Sequence, residues 1–352
     1  MILAAGLSPA WQQILVFDRF TRGEVNRAIE TCACASGKVI NVGIALASLG
    51  ADSRTLSVLG GRAGAMIEEE LATLGVRARW INDPATTRTC TTIIERSSGE
   101  ITELVENAAM IEARSCEAFL SALQEEATAD VSDKSPGSVG FSPRESVIFR
   151  ETWAKAHATS TFAGRAKAVQ WMILSGSLPP IAGRPSPRSL YREMLERLPS
   201  TARVILDARG PEMLECLSHH PFLVKPNREE LALTVGRDLT DRESLIAAMR
   251  EINHRGAEWV LVTQGAREVW LSSPTELWCF TPPVIEVVNA IGCGDCLTAG
   301  LTASLAEGHD LPTAVRFGIA AAGDNAAQLL PARLSPSRVR DLAERVGSVR
   351  VQ

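Results

Sequence analysis

The chain of 352 residues is predicted to fold as one α/β domain, a doubly wound, mostly parallel sheet with helices on both faces and a small β-sheet lid. Two observations predict this. Short apolar runs bounded by turn and cap residues alternate with helical periods along most of the chain, as expected of parallel strands joined by helices. Residues 10–31 and 86–106 break that rhythm. They carry alternating β-type runs such as Thr89-Cys-Thr-Thr-Ile-Ile-Glu95 with no helix between them, so they are expected to pair as a separate sheet.

In chain order, residues 1–7 read as a strand and 39–49 as a helix stopped by Gly50. A strand at 53–59 and a helix at 63–74 stopped by Gly75 follow, glycine supplying the left-handed residue that helix ends favour. A further helix is predicted at 111–126. Residues 127–165 are polar and rich in Ser, Thr and Ala, with Pro136, Gly137 and Pro143, and read as a surface insertion that is helical around 146–158. Beyond it, 171–174, 203–206, 222–224 and 259–262 are short apolar strands, and 189–198, 211–217, 228–235 and 241–253 are helices. A β-rich run (Val284, Ile285, Val287, Val288) then leads to an apolar helix at 297–305. Such a sheet places binding loops at the carboxyl ends of its strands, where strand order reverses. A lid over that edge suits an enzyme that must exclude water.

Composition narrows the function classes. With 45% hydrophobic and 22% charged residues, the chain has what a soluble protein with one large core needs. A net charge of −5 gives no electrostatic footprint for nucleic acid or an anionic membrane. The amino terminus enters a strand pattern without a basic segment, and the apolar stretch 317–330 is interrupted by Asp324 and Asn325, so neither a signal peptide nor a membrane span is expected. Eight scattered cysteines without a disulfide framework suit a reducing compartment, and the cytoplasm is the expected address. Cys32-x-Cys34 and Cys293-x-x-Cys296 keep a thiol or zinc reading open, although no His lies near either pair.

The most informative stretch is Asn289-Ala-Ile-Gly-Cys-Gly-Asp-Cys296. Two glycines at a turn into a helix let the backbone approach a ligand and leave N–H groups at a positive helix end, which is an anion site. Asp295 beside it is a candidate base for an attacking hydroxyl, or a residue that merely caps the helix. Four other stretches fit the same chemistry. Ser36-Gly-Lys-Val-Ile-Asn41 opens a helix, with Gly37 permitting close approach and Asn41 offering both a donor and an acceptor. Trp171-Met-Ile-Leu-Ser-Gly-Ser-Leu-Pro-Pro180 is an apolar strand ending in a polar turn that holds Ser175 and Ser177. In Leu223-Val-Lys-Pro-Asn-Arg-Glu-Glu230, Asn227 and Glu230 point to one side of a helix start, an arrangement equally explained as a capping box. Val262-Thr-Gln-Gly-Ala-Arg-Glu268 is a glycine-containing turn after a strand.

In their order and spacing these motifs resemble those of the ribokinase-like (PfkB) carbohydrate kinases, and within them the sugar-phosphate branch typified by 1-phosphofructokinase and tagatose-6-phosphate kinase. The resemblance implies ATP and Mg²⁺ as cofactors and a sugar phosphate as acceptor, fructose 1-phosphate ranking first. It implies that Asp295 is the catalytic base and that the amides of Gly292, Cys293 and Gly294 form the anion hole. Gln12, Gly37, Asn41, Ser175 and Ser177 then face the sugar, while Arg27, Lys38 and Arg88 are candidates for its phosphate. Lys225, Asn227, Glu230, Thr263 and Gly265 fall on the nucleotide side, with Asn227 and Glu230 serving magnesium through water. A homodimer through the lid is a further implication. The chain departs from the pattern where Gln12 replaces an Asp, Val39 and Glu268 replace glycines and Cys293 replaces an Ala. Those changes fit either an active kinase of altered specificity or a catalytically silent sugar-phosphate-binding protein.

Overall fold

The structure, a computed structural model, describes residues 1–128, 169–186 and 189–351, so the greater part of the expected insertion and its helix at 146–158 lie outside the described residues. The strands are β1 (Ile2–Ala5), β2 (Ala10–Phe17), β3 (Glu30–Ser36), β4 (Ser53–Leu59), β5 (Ala78–Asn82), β6 (Arg88–Glu95) and β7 (Ile101–Val105). They continue with β8 (Trp171–Ser175), β9 (Arg203–Asp207), β10 (Leu223–Val224), β11 (Trp259–Val262), β12 (Val269–Ser272), β13 (Leu277–Thr281) and β14 (Gly347–Arg350). The helices are α1 (Lys38–Ser48), α2 (Gly61–Thr73), α3 (Ala113–Thr128), α4 (Leu190–Glu196) and α5 (Gly210–Cys216). They continue with α6 (Arg228–Val235), α7 (Arg242–His254), α8 (Cys293–Ala306), α9 (Leu311–Ala326) and α10 (Pro336–Glu344).

Ten strands form the main sheet in the order β14-β13-β12-β11-β10-β9-β8-β1-β4-β5. The run from β11 to β5 is parallel, as the alternation of strands and helices predicts. Side chains of β1 alternate between two cores: Ile2 and Ala4 pack on the face covered by α1, α8 and α9, while Leu3 and Ala5 pack on the face covered by α3, α4 and α7. Strand order reverses beside β1, which lies between β8 and β4.

Three features differ from expectation. First, β12, β13 and β14 extend the sheet antiparallel, because β11 is followed by a tight turn at 264–267 instead of a crossover helix. Second, the β-rich run at 284–288 is not a strand. The outer edge of β13 is already taken by β14, so this run has no ladder to join, and Val284 is 92% exposed. Third, the four-stranded second sheet, in the order β3-β2-β6-β7, includes a strand that runs on to Ser36, beyond the expected limit at 31. Small side chains make this possible: Cys34 and Ala35 are fully buried where β3 pairs antiparallel with β2.

The connections of the second sheet fix its position. Ser8–Pro9 leads from β1 into β2, and Ser36–Gly37 leads from β3 into α1, so both roots leave the carboxyl edge of the main sheet at its reversal point. Gly37 is required at the crossing. Its φ is +97°, and a Cβ there would lie 2.9 Å from Ala10 N and from Ser8 O. No helix among the described residues is long and apolar enough to cross a membrane.

Candidate active site

The carboxyl ends of β8, β9 and β10 and the starts of α1, α6 and α8 converge on one small group of charges. At its centre Asp295, in the first turn of α8, is 6% exposed, and its Oδ2 accepts a 2.8 Å hydrogen bond from Asn41 Nδ2 on α1. Asn41 is held in turn by Ser36 Oγ, which donates to its Oδ1 at 3.1 Å. Burial pushes the Asp295 carboxyl up to about 6; Asp207 adds to the rise, while Lys38, Lys225 and the Asn41 hydrogen bond oppose it. A carboxylate tuned to that range can take a proton near neutral pH.

Asp207 was not among the residues selected from sequence. It ends β9, is 2% exposed, and lies 3.1 Å from Lys38 Nζ and 3.5 Å from Lys225 Nζ. Ser175 Oγ at the end of β8 donates to its Oδ2 at 3.4 Å. Burial opposes its ionisation, but the two ammonium groups override burial and hold its carboxyl below the usual range. The Lys38 ammonium is stabilised chiefly by Asp207, and also by Asp295 and Glu230. Lys38, expected at the acceptor's phosphate, thus sits among the acidic groups around Asp295. In the sequence Asp207 is only an acid closing the apolar run Arg203-Val-Ile-Leu, which does not by itself mark a site residue.

The turn into α8 departs in one respect from the expected anion hole. Gly292 is left-handed, with φ 79° and ψ −1°, and supplies the N-cap. The Cys293 amide, expected to face an anion, instead donates to the Ala290 carbonyl at 3.3 Å, because the left-handed glycine folds the chain back over that carbonyl. The amides of Gly294 and Asp295 have no hydrogen-bond partner among the described residues. A Cβ placed on Gly294 would lie 3.5 Å from Lys225 Nζ, so these amides and a buried lysine adjoin one spot. A helix N-terminus with a neighbouring cation favours a phosphoryl group. Both thiols in this turn are held protonated: burial pushes Cys293 up to about 11 and Cys296 well above the ordinary thiol range. That speaks against thiolate chemistry here.

Of the residues expected on the nucleotide side, Asn227 and Glu230 form the capping box of α6. Asn227 Oδ1 accepts from the Glu230 amide at 2.8 Å, and Glu230 Oε2 accepts from the Asn227 amide at 3.0 Å. Thr263 bridges to Asn227, and its carbonyl accepts from the Arg228 amide at 3.0 Å, so the turn containing Gly265 is tied to the α6 start. Gly265 has φ +53° at an exposed turn. Glu268 is turned toward the Cys279 thiol on β13.

The expected sugar-side residues are only partly brought together. Gln12 is buried on β2, with Nε2 donating to Thr92 Oγ1 on β6 at 2.7 Å. Arg88 starts β6; its Nη2 reaches the Ser8 carbonyl at 3.3 Å and its Nη1 the Glu106 carbonyl at 3.1 Å. Its buried Nε has no partner among the described residues. Ser177 is exposed beyond the end of β8, and Arg27 is exposed on the loop between β2 and β3. Val39, which stands where the family pattern has a glycine, is buried in the core packed around α1.

Comparison with known proteins adds an independent line. A family model described as pfkB family carbohydrate kinase matches residues 11–139 and 142–329. A 1-phosphofructokinase of Rhodobacter capsulatus is 28% identical over 351 residues, covering 98% of this chain and 96% of the relative. A tagatose-6-phosphate kinase of Staphylococcus epidermidis is 27% identical over 308 residues, covering 87% and 85%. Among solved structures, phosphofructokinase-2 of Escherichia coli in complex with substrates and products superposes with a TM-score of 0.77 at 23% identity, covering 97% of this chain and 98% of that one. With the family model spanning most of its length, the chain belongs to the pfkB family of carbohydrate kinases.

Proposed function

We propose that this kinase transfers the γ-phosphoryl group of ATP to a hydroxyl of a sugar phosphate, with fructose 1-phosphate or a related ketohexose phosphate as the first candidate. One observation carries the reading most directly. A buried carboxylate poised near pH 6 lies beside unpaired helix-start amides and two lysines, so a base and a site for transferred charge share one small volume. The two relatives named after sugar-phosphate kinases support the acceptor class.

In this reading the acceptor hydroxyl donates its proton to Asp295, whose orientation is set by Asn41. The amides of Gly294 and Asp295, with Lys225 and Lys38, neutralise charge on the transferring group, which is the larger part of catalysis in phosphoryl transfer. Bound magnesium would supply further neutralisation of the nucleotide's phosphate charge. Glu230 and Asn227 fit such an ion through water, because both side chains already close the capping box while the carboxylate keeps free lone pairs. Thr263 and Gly265 are assigned to the nucleotide. Gly37, Ser175, Ser177 and Gln12 are assigned to the sugar.

Arg88 is assigned to the acceptor's own phosphate, since its guanidinium is anchored beside Ser8 and only two of its five N–H groups are bonded among the described residues. Arg88→Ala is expected to raise KM for the sugar phosphate roughly ten- to a hundredfold, the worth of a charge-assisted hydrogen bond, with kcat nearly unchanged. Steady-state kinetics on the purified variant check this; an unaltered KM removes Arg88 from the site.

Arg27 is assigned to a substrate reached across a dimer. The second sheet leaves Leu104 and Val105 55% exposed, and we assign this face to contact with a second copy. Sedimentation velocity is expected to show a dimer that Leu104→Lys dissociates; a parent monomer would count against this arrangement. Eight free cysteines fit a cytoplasmic address.

The test of the function itself is an ATP-consumption screen across hexose phosphates and free sugars. Turnover with a ketohexose phosphate at least about tenfold above any free sugar is expected, a modest demand on a site with a charged anchor. Thermal stabilisation by a sugar phosphate without ATP consumption would identify a silent binding protein instead.

A further inference from the structure

Asn325 takes no part in the mechanism above, yet its side chain is bonded to both the backbone and the thiols of the turn that carries Asp295. It lies on α9 and is 1% exposed. Its Nδ2 donates to the Ile291 carbonyl at 2.8 Å and to Cys293 Sγ at 3.2 Å. Its Oδ1 accepts from the Ala332 amide at 2.7 Å and from the Cys296 thiol at 3.3 Å. Both donors and both lone pairs of the carboxamide are therefore used. The orientation is fixed by chemistry, because a backbone carbonyl can only accept and a backbone amide can only donate.

The Ile291 contact has a consequence for the anion site. The helix α8 begins at Cys293, so the amides of its first turn, Asp295 among them, have no carbonyl of their own helix to bond. The left-handed Gly292 and the Asn325 side chain, which holds the Ile291 carbonyl, set how that turn is presented, and the Asp295 amide has no partner among the described residues. A Cβ on Gly292 would meet Asn41 Nδ2 at 3.3 Å and Asn325 Oδ1 at 3.6 Å, so the glycine is flanked by the residue that holds the base and the one that holds the turn.

We propose that Asn325 is a positioning residue that holds the phosphoryl-binding amides at the start of α8 in place, by fastening the turn at Ile291, Cys293 and Cys296. The inference rests on the kinase reading. Asn325 touches neither the acceptor nor the nucleotide; it acts through the turn.

The test compares the parent with Asn325→Asp and Asn325→Ala. Asn325→Asp keeps the shape and both acceptor contacts but replaces the donors with a carboxylate oxygen facing Ile291 O. Both variants are expected to lose roughly 10- to 10³-fold in kcat, the range for weakening or losing an oxyanion donor. KM for the sugar phosphate is expected to stay within about threefold, because that subsite is untouched. Calorimetry supplies a readout that general loosening would not give. Affinity for a non-hydrolysable ATP analogue with magnesium is expected to fall about tenfold while ADP affinity holds, since only the γ-phosphate reaches these amides. Should the alanine variant fail to fold, the isosteric aspartate variant, or Asn325→Ser with its single donor, carries the test. Folded variants with parental kcat, or with equal losses for ADP and the ATP analogue, overturn the proposal. A parent that consumes no ATP with any acceptor in the screen would overturn the kinase reading itself, which the parent arm of the screen reports separately.

Discussion

Asp295→Asn is expected to lower turnover by roughly 10² to 10⁴, the contribution of a positioned base, while making the protein more stable at pH 8. The two effects share a cause. Burial lifts the Asp295 carboxyl from the ordinary 3.8 to about 6, so the folded protein holds that proton more tightly than the unfolded chain does. The stability gained from this is fully present below pH 3.8 and is lost as pH rises through 6. Above pH 6 the fold carries an ionised, buried carboxylate at a cost on the order of 3 kcal/mol. Asparagine has the same shape, can still accept from Asn41 Nδ2, and never ionises. Thermal melts of parent and variant should therefore diverge above pH 6, with the variant higher, and converge toward pH 4. In the active parent, kcat/KM should fall on the acid side with a midpoint near 6, as the base of the free enzyme titrates. A variant that retains parental kcat, or melts that stay parallel from pH 4 to pH 8, would remove Asp295 as the base.

The residues legible in the sequence were those that glycine or proline punctuation sets apart. Gly292-Cys-Gly-Asp295 and the Lys225-Pro-Asn element stand at starts of helices because local backbone chemistry puts them there, and the structure brings Asp295 to Asn41 at 2.8 Å. Two kinds of information were not legible. Asp207 and Asn325 act through partners far along the chain, Lys38 lying 169 positions from Asp207 and Cys293 lying 32 from Asn325. Neither carries a local signature, since one closes an apolar strand and the other interrupts an apolar helix. The strand β3 was hidden for another reason: Thr-Cys-Ala-Cys-Ala has little β-branched character, and its pairing with β2 is decided by burial of small side chains against the partner strand. The valines at 284–288 erred in the opposite direction, having the propensity without a free edge.

Asp207→Asn should be the second most damaging change, although Asp207 is assigned no bond to the substrate. Its carboxylate is the shared counter-charge of Lys38 and Lys225, and Lys225 is 5% exposed. Removing one partner of a buried ionic group typically costs about 3–5 kcal/mol. Because the Asp207 carboxyl lies below its ordinary value in the folded state, its contribution is present above pH 4 and fades as acid protonates it. The stability deficit of the variant should thus be largest near neutral pH and shrink below pH 4. Turnover should fall about 10²-fold, the usual result of displacing charged groups by an ångström. The decisive readout is the pH profile. Burial is the main cause that raises the Asp295 carboxyl and Asp207 adds to it, so loss of Asp207 leaves the two lysines opposed by burial alone. The acid limb of kcat/KM in the variant should move to lower pH, even as the rate falls. Simple loosening of the fold would slow the enzyme without that shift, so an acid limb fixed near pH 6 would show that Asp207 does not tune the base.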